Sequence, residues 1–502
     1  MDERSRKVDS GVGVPPEQPQ VMSLPVPIAM LGVPFDNVTL SQTVDVIAGM
    51  VASGRPHYAA TANVDFVVQA LHDTELRRTL VDADLVLCDG MPLVWASRFL
   101  GNRLPERVAG SDLMPLLLEE SERRGWRVFF LGGADESLAR AAANVRKRHP
   151  KLQLVGVYSP PFKPLLEMDH EDIVRRVRAA RPDLLFVAFG CPKQEKWISM
   201  QFRNAGVPLS IGVGATIDFL GGAVRRAPRW MQQTGLEWVF RLLQEPRRLF
   251  KRYSTDLWVF GTAILRQWWQ LRQVRSHSAQ GSGVTAQATR NGMCVLICFA
   301  DRVDAATIQE HANLWRRIGD RQGHVILDLS QAMFMDSTGV GLLVRMQKQL
   351  RGQERQMILV APTPAVRRAL DLMRLTGFFP IVEDLAAAHQ LVKERQKEQS
   401  VVVTMNLGDR SEAMAWQGEI VASNAEAVWQ MTLDHIAHAQ GRDAGINISL
   451  AAVRFIDSTG VRLMVRLCRE ARQRGLQVRF TAPQEAVRNV LRILNMDKSL
   501  LA

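Results

Sequence analysis

Short apolar runs alternate with amphipathic segments from about Ile28 onward. His57–Thr61, Leu85–Cys88, Val128–Leu131, Leu154–Val157, Leu184–Phe189 and Leu209–Val213 have the length and composition of buried strands. Between them apolar residues fall at helical spacing. Leu40, Val44, Ile47 and Val51 are four, three and four apart, with Thr39 placed to cap the helix and Gly54 to stop it. Strand and helix alternating over about 200 residues predict an α/β domain with a largely parallel sheet covered on both faces.

Past this domain the pattern changes twice. A segment that is helical in spacing but broken at Pro246 is followed by Val274–Gly292, rich in Ser, Gly, Gln and Thr. That is linker composition, and it predicts halves that behave independently. The chain then repeats itself. Asp336-Ser337-Thr338-Gly339-Val340 recurs as Asp457-Ser458-Thr459-Gly460-Val461, an offset of 121 that also maps Leu342 on Leu463, Ala361-Pro362 on Ala482-Pro483 and Leu370 on Leu491. A register held over more than thirty residues marks a duplicated domain of about 100 residues. The resulting division is a disordered lead (1–25), the α/β domain (26–228), an appendage (229–273), the linker (274–292) and two repeats (293–397 and 400–502).

The length of 502 residues accommodates these units, and 47% hydrophobic with 23% charged residues excludes a wholly disordered chain. No run approaches the ~18–20 uncharged apolar residues of a spanning helix. The Pro- and Gln-rich start lacks the apolar core of a signal peptide. Cys88, Cys191, Cys294, Cys298 and Cys468 are scattered and odd in number, which predicts a reducing compartment. The net charge of +12 is concentrated: residues 225–275 hold ten arginines and Lys251 against Glu237, Glu245 and Asp256, a net of +8. Nucleic acid, anionic lipid and a phosphorylated substrate are the candidate partners of such a block. The region 229–269 also carries five of the eleven tryptophans, Trp230, Trp238, Trp258, Trp268 and Trp269. Basic residues with tryptophan suit a helix lying in a membrane interface. The alternative is that the aromatics pack on the sheet while the arginines form a solvated face. No helix-turn-helix or zinc pattern supports nucleic acid.

Each repeat places a strand (Val325–Leu329; Ile446–Leu450) ahead of the Asp-Ser-Thr-Gly-Val turn and a helix after it. Asp, Ser and Thr at a helix start serve as caps, and a serine there is equally placed for phosphorylation, which would change the face shown to a partner. The segment LDLSQAMFMDSTGVGLLVRM resembles a STAS domain, the anti-sigma-factor-antagonist fold. The resemblance implies Ser337 and Ser458 as phosphorylation sites, a serine kinase and an anti-sigma-like protein as partners, and no catalysis in the repeats. Arg302-Val303-Asp304-Ala305 is similar to the family's early G-x-L-D-A element with the Gly missing, whereas Gly418-Glu419-Ile420-Val421-Ala422 keeps the Gly but loses the Asp.

In the α/β domain, four polar clusters follow strands, at the edge where open sheets bind ligands. They are Thr61-Ala62-Asn63, Cys88-Asp89-Gly90-Met91, Gly190-Cys191-Pro192-Lys193-Gln194-Glu195 and Gly212-Val213-Gly214-Ala215-Thr216-Ile217-Asp218. In a fifth, Gly132-Gly133 before a helix lets a ligand approach the backbone. Asp82-Ala83-Asp84 has the D-x-D form of a metal site but runs into an apolar strand, and no metal ligand is assigned. With Arg107-Val108-Ala109-Gly110-Ser111-Asp112, these clusters closely resemble the WecG/TagA/CpsF glycosyltransferase family over about residues 28–255. The resemblance implies a Rossmann-like fold and inverting, metal-independent transfer of N-acetylmannosamine or a related sugar from a UDP donor. The acceptor would be an undecaprenyl-diphosphate-linked sugar in cell-surface polysaccharide synthesis.

By motif, Asp89 inherits the general-base role and Thr61, Asn63 and Gln194 the polar pocket around it. Arg107, Gly132, Gly133, Gly190, Lys193 and Asp218 fall to substrate and nucleotide contacts. Arg241, Arg247, Arg248, Lys251 and Arg252 match the family's arginine-bearing appendage, implying a cytoplasmic protein peripheral to the inner membrane. A second copy of the chain is a further candidate partner. The rival from another class is a partner-switching scaffold with a vestigial transferase domain.

Overall fold

The computed structural model describes residues 24–222, 226–233, 236–244, 246–275, 283–288, 294–315, 323–351, 355–397, 402–407, 411–438 and 446–501. The first domain opens with a hairpin, β1 (Ile28–Met30) and β2 (Val33–Phe35), followed by α1 (Leu40–Ser53), β3 (His57–Ala62), α2 (Val64–Ala70), α3 (Thr74–Asp82), β4 (Leu85–Cys88) and α4 (Met91–Phe99). It continues through α5 (Gly110–Arg124), β5 (Arg127–Gly132), α6 (Asp135–Arg148), β6 (Gln153–Tyr158), α7 (His170–Ala180), β7 (Leu184–Ala188), α8 (Lys193–Ala205), β8 (Leu209–Gly212) and α9 (Thr216–Leu220). The six strands expected from the apolar runs are all present. Thr39 and Gln42 form a reciprocal capping box at the start of α1, and Gly54 ends it with a left-handed φ of 64°.

Strands β3–β8 form one parallel sheet in the order β4-β3-β8-β7-β5-β6. Alternate residues feed opposite faces: Ala60, Ala62, Val86, Leu131 and Val187 enter one core, while Ala59, Leu87, Phe130, Phe186 and Ile211 enter the other. Burial on both faces explains why the strands read as continuous apolar runs. The order also sets β4, β3, β8 and β7 side by side, so the four polar clusters that follow them share one edge.

The basic block is three helices, α10 (Arg229–Gln233), α11 (Glu237–Gln244) and α12 (Pro246–Arg275); the break expected at Pro246 is there, and the proline opens α12. Phe260 and Ile264 of α12 enter the core of the α/β domain, and Trp268 stacks on Phe99 with centroids 5.1 Å apart. Its other side is bare: Phe250, Trp258, Leu265 and Trp269 are exposed, Trp258 to 74%.

The first repeat is a five-stranded sheet ordered β13-β12-β11-β10-β9, with β9 (Gly283–Ala288), β10 (Cys294–Val303), β11 (His324–Met335), β12 (Met357–Val360) and β13 (Ile381–Val382). The second has β14 (Val402–Leu407), β15 (Ser411–Ile420), β16 (Ile446–Ile456) and β17 (Val478–Thr481) in sequence order. Both begin with an antiparallel pair and continue parallel, which is the duplication in three dimensions.

Three expectations are corrected here. The stretch read as linker contains β9, because Val284, Thr285 and Ala286 pair with β10 as an edge strand whose small, polar residues resembled linker composition. The lead is described from Leu24, whose carbonyl accepts a hydrogen bond from Arg345; residues 1–23 lie outside the described residues. The repeats are not independent of the α/β domain. Ala29 and Val81 belong to the first repeat's apolar core, and Arg345 pairs with Asp36 at 3.0 Å. The second repeat meets α3: Thr74 Oγ1 donates to Asn489 Oδ1 (3.0 Å) and Arg78 pairs with Glu419 (3.0 Å).

Candidate active site

One cleft of about 500 Å³ opens at the carboxyl edge of the sheet. Thr61, Asn63, Asp89, Arg107, Gly190, Gln194 and Asp218 all line it, drawn from the ends of β3, β4, β7 and β8 and the loops behind them. The appendage closes one side with Glu237, Trp238, Arg241, Arg252, Tyr253 and Asp256.

Asp89 follows β4, held by its N–H to the Ala62 carbonyl (2.9 Å). Burial pushes its carboxyl up to about 6; Arg107 draws it down, Glu237 raises it, and the Gly110 N–H at the start of α5 lowers it. A carboxylate set in that range is suited to general-base work near neutral pH. Thr61 Oγ1 donates to the Gly212 carbonyl (3.1 Å), tying β3 to β8, and Asn63 Oδ1 caps α2 at the Phe66 N–H (3.3 Å). Both residues thus brace the floor of the cleft as well as lining it.

Gln194 is fixed at both ends. Its Oε1 accepts from the Gly190 N–H (3.1 Å), and its Nε2 donates to Glu195 Oε1 (2.7 Å). Burial raises Glu195 to about 8, against the lowering effect of its bond from Gln194. These two side chains fit only because residue 212 is glycine: a Cβ there would sit 2.7 Å from Gln194 Nε2 and 2.8 Å from Glu195 Oε1.

Arg107 lines the cleft with both guanidinium ends engaged, to Asp112 Oδ2 (2.6 Å) and Glu237 Oε2 (2.8 Å). Arg226 joins the same two carboxylates and donates to Ser111 Oγ (3.0 Å). This network bolts the appendage to the loop before α5. Arg252 pairs with Asp65 (3.2 Å), and Arg241 lies over the Phe219 ring at 5.0 Å.

The five basic residues of the appendage therefore divide. Arg241 and Arg252 face the cleft, Arg247 and Lys251 are exposed on α12, and the side chain of Arg248 lies outside the described residues. The tryptophans divide as well: Trp238 and Trp268 pack inward, whereas Trp230, Trp258 and Trp269 are exposed.

Three expected residues are not among the cleft's lining. Gly132 is a packing glycine with φ 90°, where a Cβ would meet the Phe189 ring at 2.6 Å, and the Gly133 carbonyl accepts from Ser159 Oγ (2.6 Å). Lys193 turns outward to the Lys163 carbonyl (2.5 Å) and over the Phe162 ring (4.8 Å). Asp82 pairs with Arg78 (2.5 Å), and Asp84 accepts the Tyr58 N–H (3.0 Å), so the D-x-D carboxylates serve α3 and β3. Glu237 and Asp256 were missed as site residues. The available signal was that they are two of only three acids in a strongly basic block.

Fold and cleft together define an α/β domain that takes its ligand at the carboxyl edge of a parallel sheet, with a carboxylate and arginines converging there. A family model described as the glycosyl transferase WecG/TagA/CpsF family matches residues 28–274, and one for the STAS domain matches 285–388 and 413–501. The chain belongs to the WecG/TagA/CpsF glycosyl transferase family and carries two STAS domains. It is 32% identical over 209 residues (42% of this chain, 79% of the relative) to N-acetylglucosaminyldiphosphoundecaprenol N-acetyl-beta-D-mannosaminyltransferase of Bacillus spizizenii. It is 28% identical over 238 residues (47% and 92%) to a protein of the same name from Staphylococcus aureus strain MW2. Among solved structures, the anti-sigma factor antagonist SpoIIAA in its unphosphorylated form is similar at 22% identity, covering 22% of this chain and 96% of its own, with a TM-score of 0.20.

Proposed function

We propose that the N-terminal domain transfers an N-acetylmannosamine-type sugar from a UDP donor, with inversion, to a polyprenyl-diphosphate-linked N-acetylglucosamine, and that the STAS repeats are phosphorylation-controlled docking modules. The observation that carries the transferase reading is the convergence of Thr61, Asn63, Asp89, Gln194 and Asp218 from separate strand ends on one cleft. The choice of acceptor and sugar is supported by what the relatives' names say of those proteins.

In this reading Asp89 takes the proton of the acceptor hydroxyl as its oxygen attacks the anomeric carbon. The bond from that carbon to the diphosphate breaks, and UDP leaves with the electron pair. Arg107, Arg241 and Arg252 offer positive charge to the departing diphosphate, as does the start of α5. Asp218 is assigned to the nucleotide base. The reaction is proposed to need no metal ion.

The bare apolar side of α12, with Arg247 and Lys251 beside it, supports a peripheral seat on an anionic membrane, on the cytoplasmic face where the donor is supplied. None of the helices in the described residues is long and apolar enough to cross a membrane.

The test is release of UDP from a panel of UDP-sugars, with and without a polyprenyl-diphosphate N-acetylglucosamine analogue. Acceptor-dependent release and a disaccharide product are expected. A scaffold with a vestigial transferase predicts no turnover with any pair. Because Asp89 must be ionised to act, kcat/KM is expected to fall about tenfold per pH unit below about 6 and to level off above it. A profile flat from pH 5 to 8 would remove Asp89 as the titrating base.

A further inference from the structure

Both repeats turn the same element, the Asp-Ser-Thr-Gly start of their central helix, toward the transferase domain, and each meets a different part of it. In the first repeat Asp336 accepts from Asn102 Nδ2 (3.0 Å), and Ser337 Oγ lies 3.2 Å from Gln267 Nε2 of α12. In the second, the Ser458 N–H donates to Glu75 Oε1 of α3 (2.5 Å), while Ser458 Oγ is buried without a hydrogen-bond partner. Ser337 and Ser458 are each completely shielded from solvent.

Two glycines record how closely the first repeat is seated. A Cβ on Gly341, one turn into the helix Ser337–Arg351, would collide with the Pro27 carbonyl ahead of β1. A Cβ on Gly32, in the hairpin turn, would collide with the Met373 carbonyl of the repeat. The equivalent of Gly341 in the second repeat is Arg462, so the close backbone approach belongs to the first copy alone.

We propose that the transferase domain of the same chain is the docking partner of both STAS repeats, and that negative charge on Ser337 or Ser458 releases them. The proposal rests on reading the repeats as phosphorylation-controlled modules and names what they hold. Charge is poorly accommodated at either serine. Ser458 faces Glu75 and sits beside Asp457; of the two nearby cations, Lys196 already pairs with Asp73 (2.7 Å) and Glu75 (2.9 Å), and Arg462, one turn along the same helix, already answers Asp457 and Glu171. Ser337 Oγ accepts from the Gln267 amide, and the preceding residue is the carboxylate Asp336, which holds the Asn102 amide. A buried dianion without a matching cation is strongly disfavoured.

A protein kinase would transfer the γ-phosphoryl group of ATP to the serine Oγ, which gives up its proton, with ADP leaving. Since both Oγ atoms are enclosed in the docked form, the substrate of that step is the undocked repeat, and the phosphate then blocks its return. Release would also be felt at the cleft. Lys196 lies two residues beyond Gln194 on α8, so Glu75 links the second repeat to the helix that carries a pocket residue.

Hydrogen exchange of the full-length chain tests the proposal without relying on turnover, so failure of the transferase reading leaves it standing. Ser458→Asp is expected to speed exchange of the α3 amides at least tenfold while β16 stays protected, and Ser458→Ala to leave α3 unchanged. For the first repeat, Gly341→Ala favours the helix itself yet is expected to speed exchange in the β1–β2 hairpin, with β11 and β12 protected. Unchanged exchange of α3 in Ser458→Asp together with an unchanged hairpin in Gly341→Ala overturns the proposal. Should Ser458→Asp unfold its own repeat, the hairpin readout of Gly341→Ala decides.

Discussion

Asp89→Asn is expected to leave the fold and UDP binding intact and to lower turnover by roughly 2–4 orders of magnitude, the usual contribution of a positioned base. Asparagine keeps the shape of the side chain and its contact with the Gly110 N–H region, but it cannot accept the proton. Stability should be equal or slightly higher at neutral pH. The carboxyl of Asp89 is raised to about 6 in the folded protein, so the stability it contributes is lost as pH climbs from the ordinary carboxylate range through about 6. A neutral amide removes that dependence. The measurements are steady-state kinetics, UDP titration and thermal melting of the variant and parent side by side. Near-normal transfer by Asp89→Asn would end the assignment. Turnover should also survive chelation of divalent ions; its abolition by chelator would redirect attention to Asp82 and Asp84.

The second large effect lies at the membrane. Replacing Phe250, Trp258 and Trp269 by Ser, together with Arg247→Gln and Lys251→Gln, strips the outer side of α12 without touching the residues it packs inward. Each aromatic that enters the interface contributes about 1.5 kcal/mol or more, and each charge near an anionic surface about 1 kcal/mol. Binding to phosphatidylglycerol vesicles should therefore weaken by more than about a thousandfold, while transfer to a water-soluble acceptor persists. Arg241 and Arg252 are left in place because they line the cleft. Equal co-sedimentation of parent and variant would refute a membrane role for this face.

The cleft was legible in the sequence to the extent that its residues come from strand ends. A parallel sheet gathers such ends along one edge, so Thr61, Asn63, Asp89, Gln194 and Asp218 could be grouped without coordinates. Gly132 and Gly133 also end a strand, but β5 lies beyond β7 in the sheet order, a fact of topology that no local pattern carries. The split of the basic block was hidden for a similar reason. Composition gives the charge of α12 but not which of its sides meets the core, and α12 is apolar on both. Least legible was the docking of the repeats. The surfaces involved, α3 and the β1–β2 hairpin, look like ordinary parts of a transferase domain. The close approaches at Gly32 and Gly341 left no mark in the sequence, since the residues they meet, Met373 and Pro27, lie hundreds of positions away.

About seven residues separate the end of α12 at Arg275 from the start of β9 at Gly283. A tether that short makes docking of the first repeat a unimolecular event, with an effective concentration in the millimolar range. An interface with an intrinsic dissociation constant near ~10 µM would then be closed about 99% of the time. A free protein competing for the same serine face at micromolar levels would have to bind it far more tightly than the transferase domain does. Conversely, a few kcal/mol of charge repulsion is enough to move such an equilibrium from mostly shut to mostly open. Covalent attachment thus allows a modest surface to hold the repeat firmly while keeping it within reach of a single phosphate.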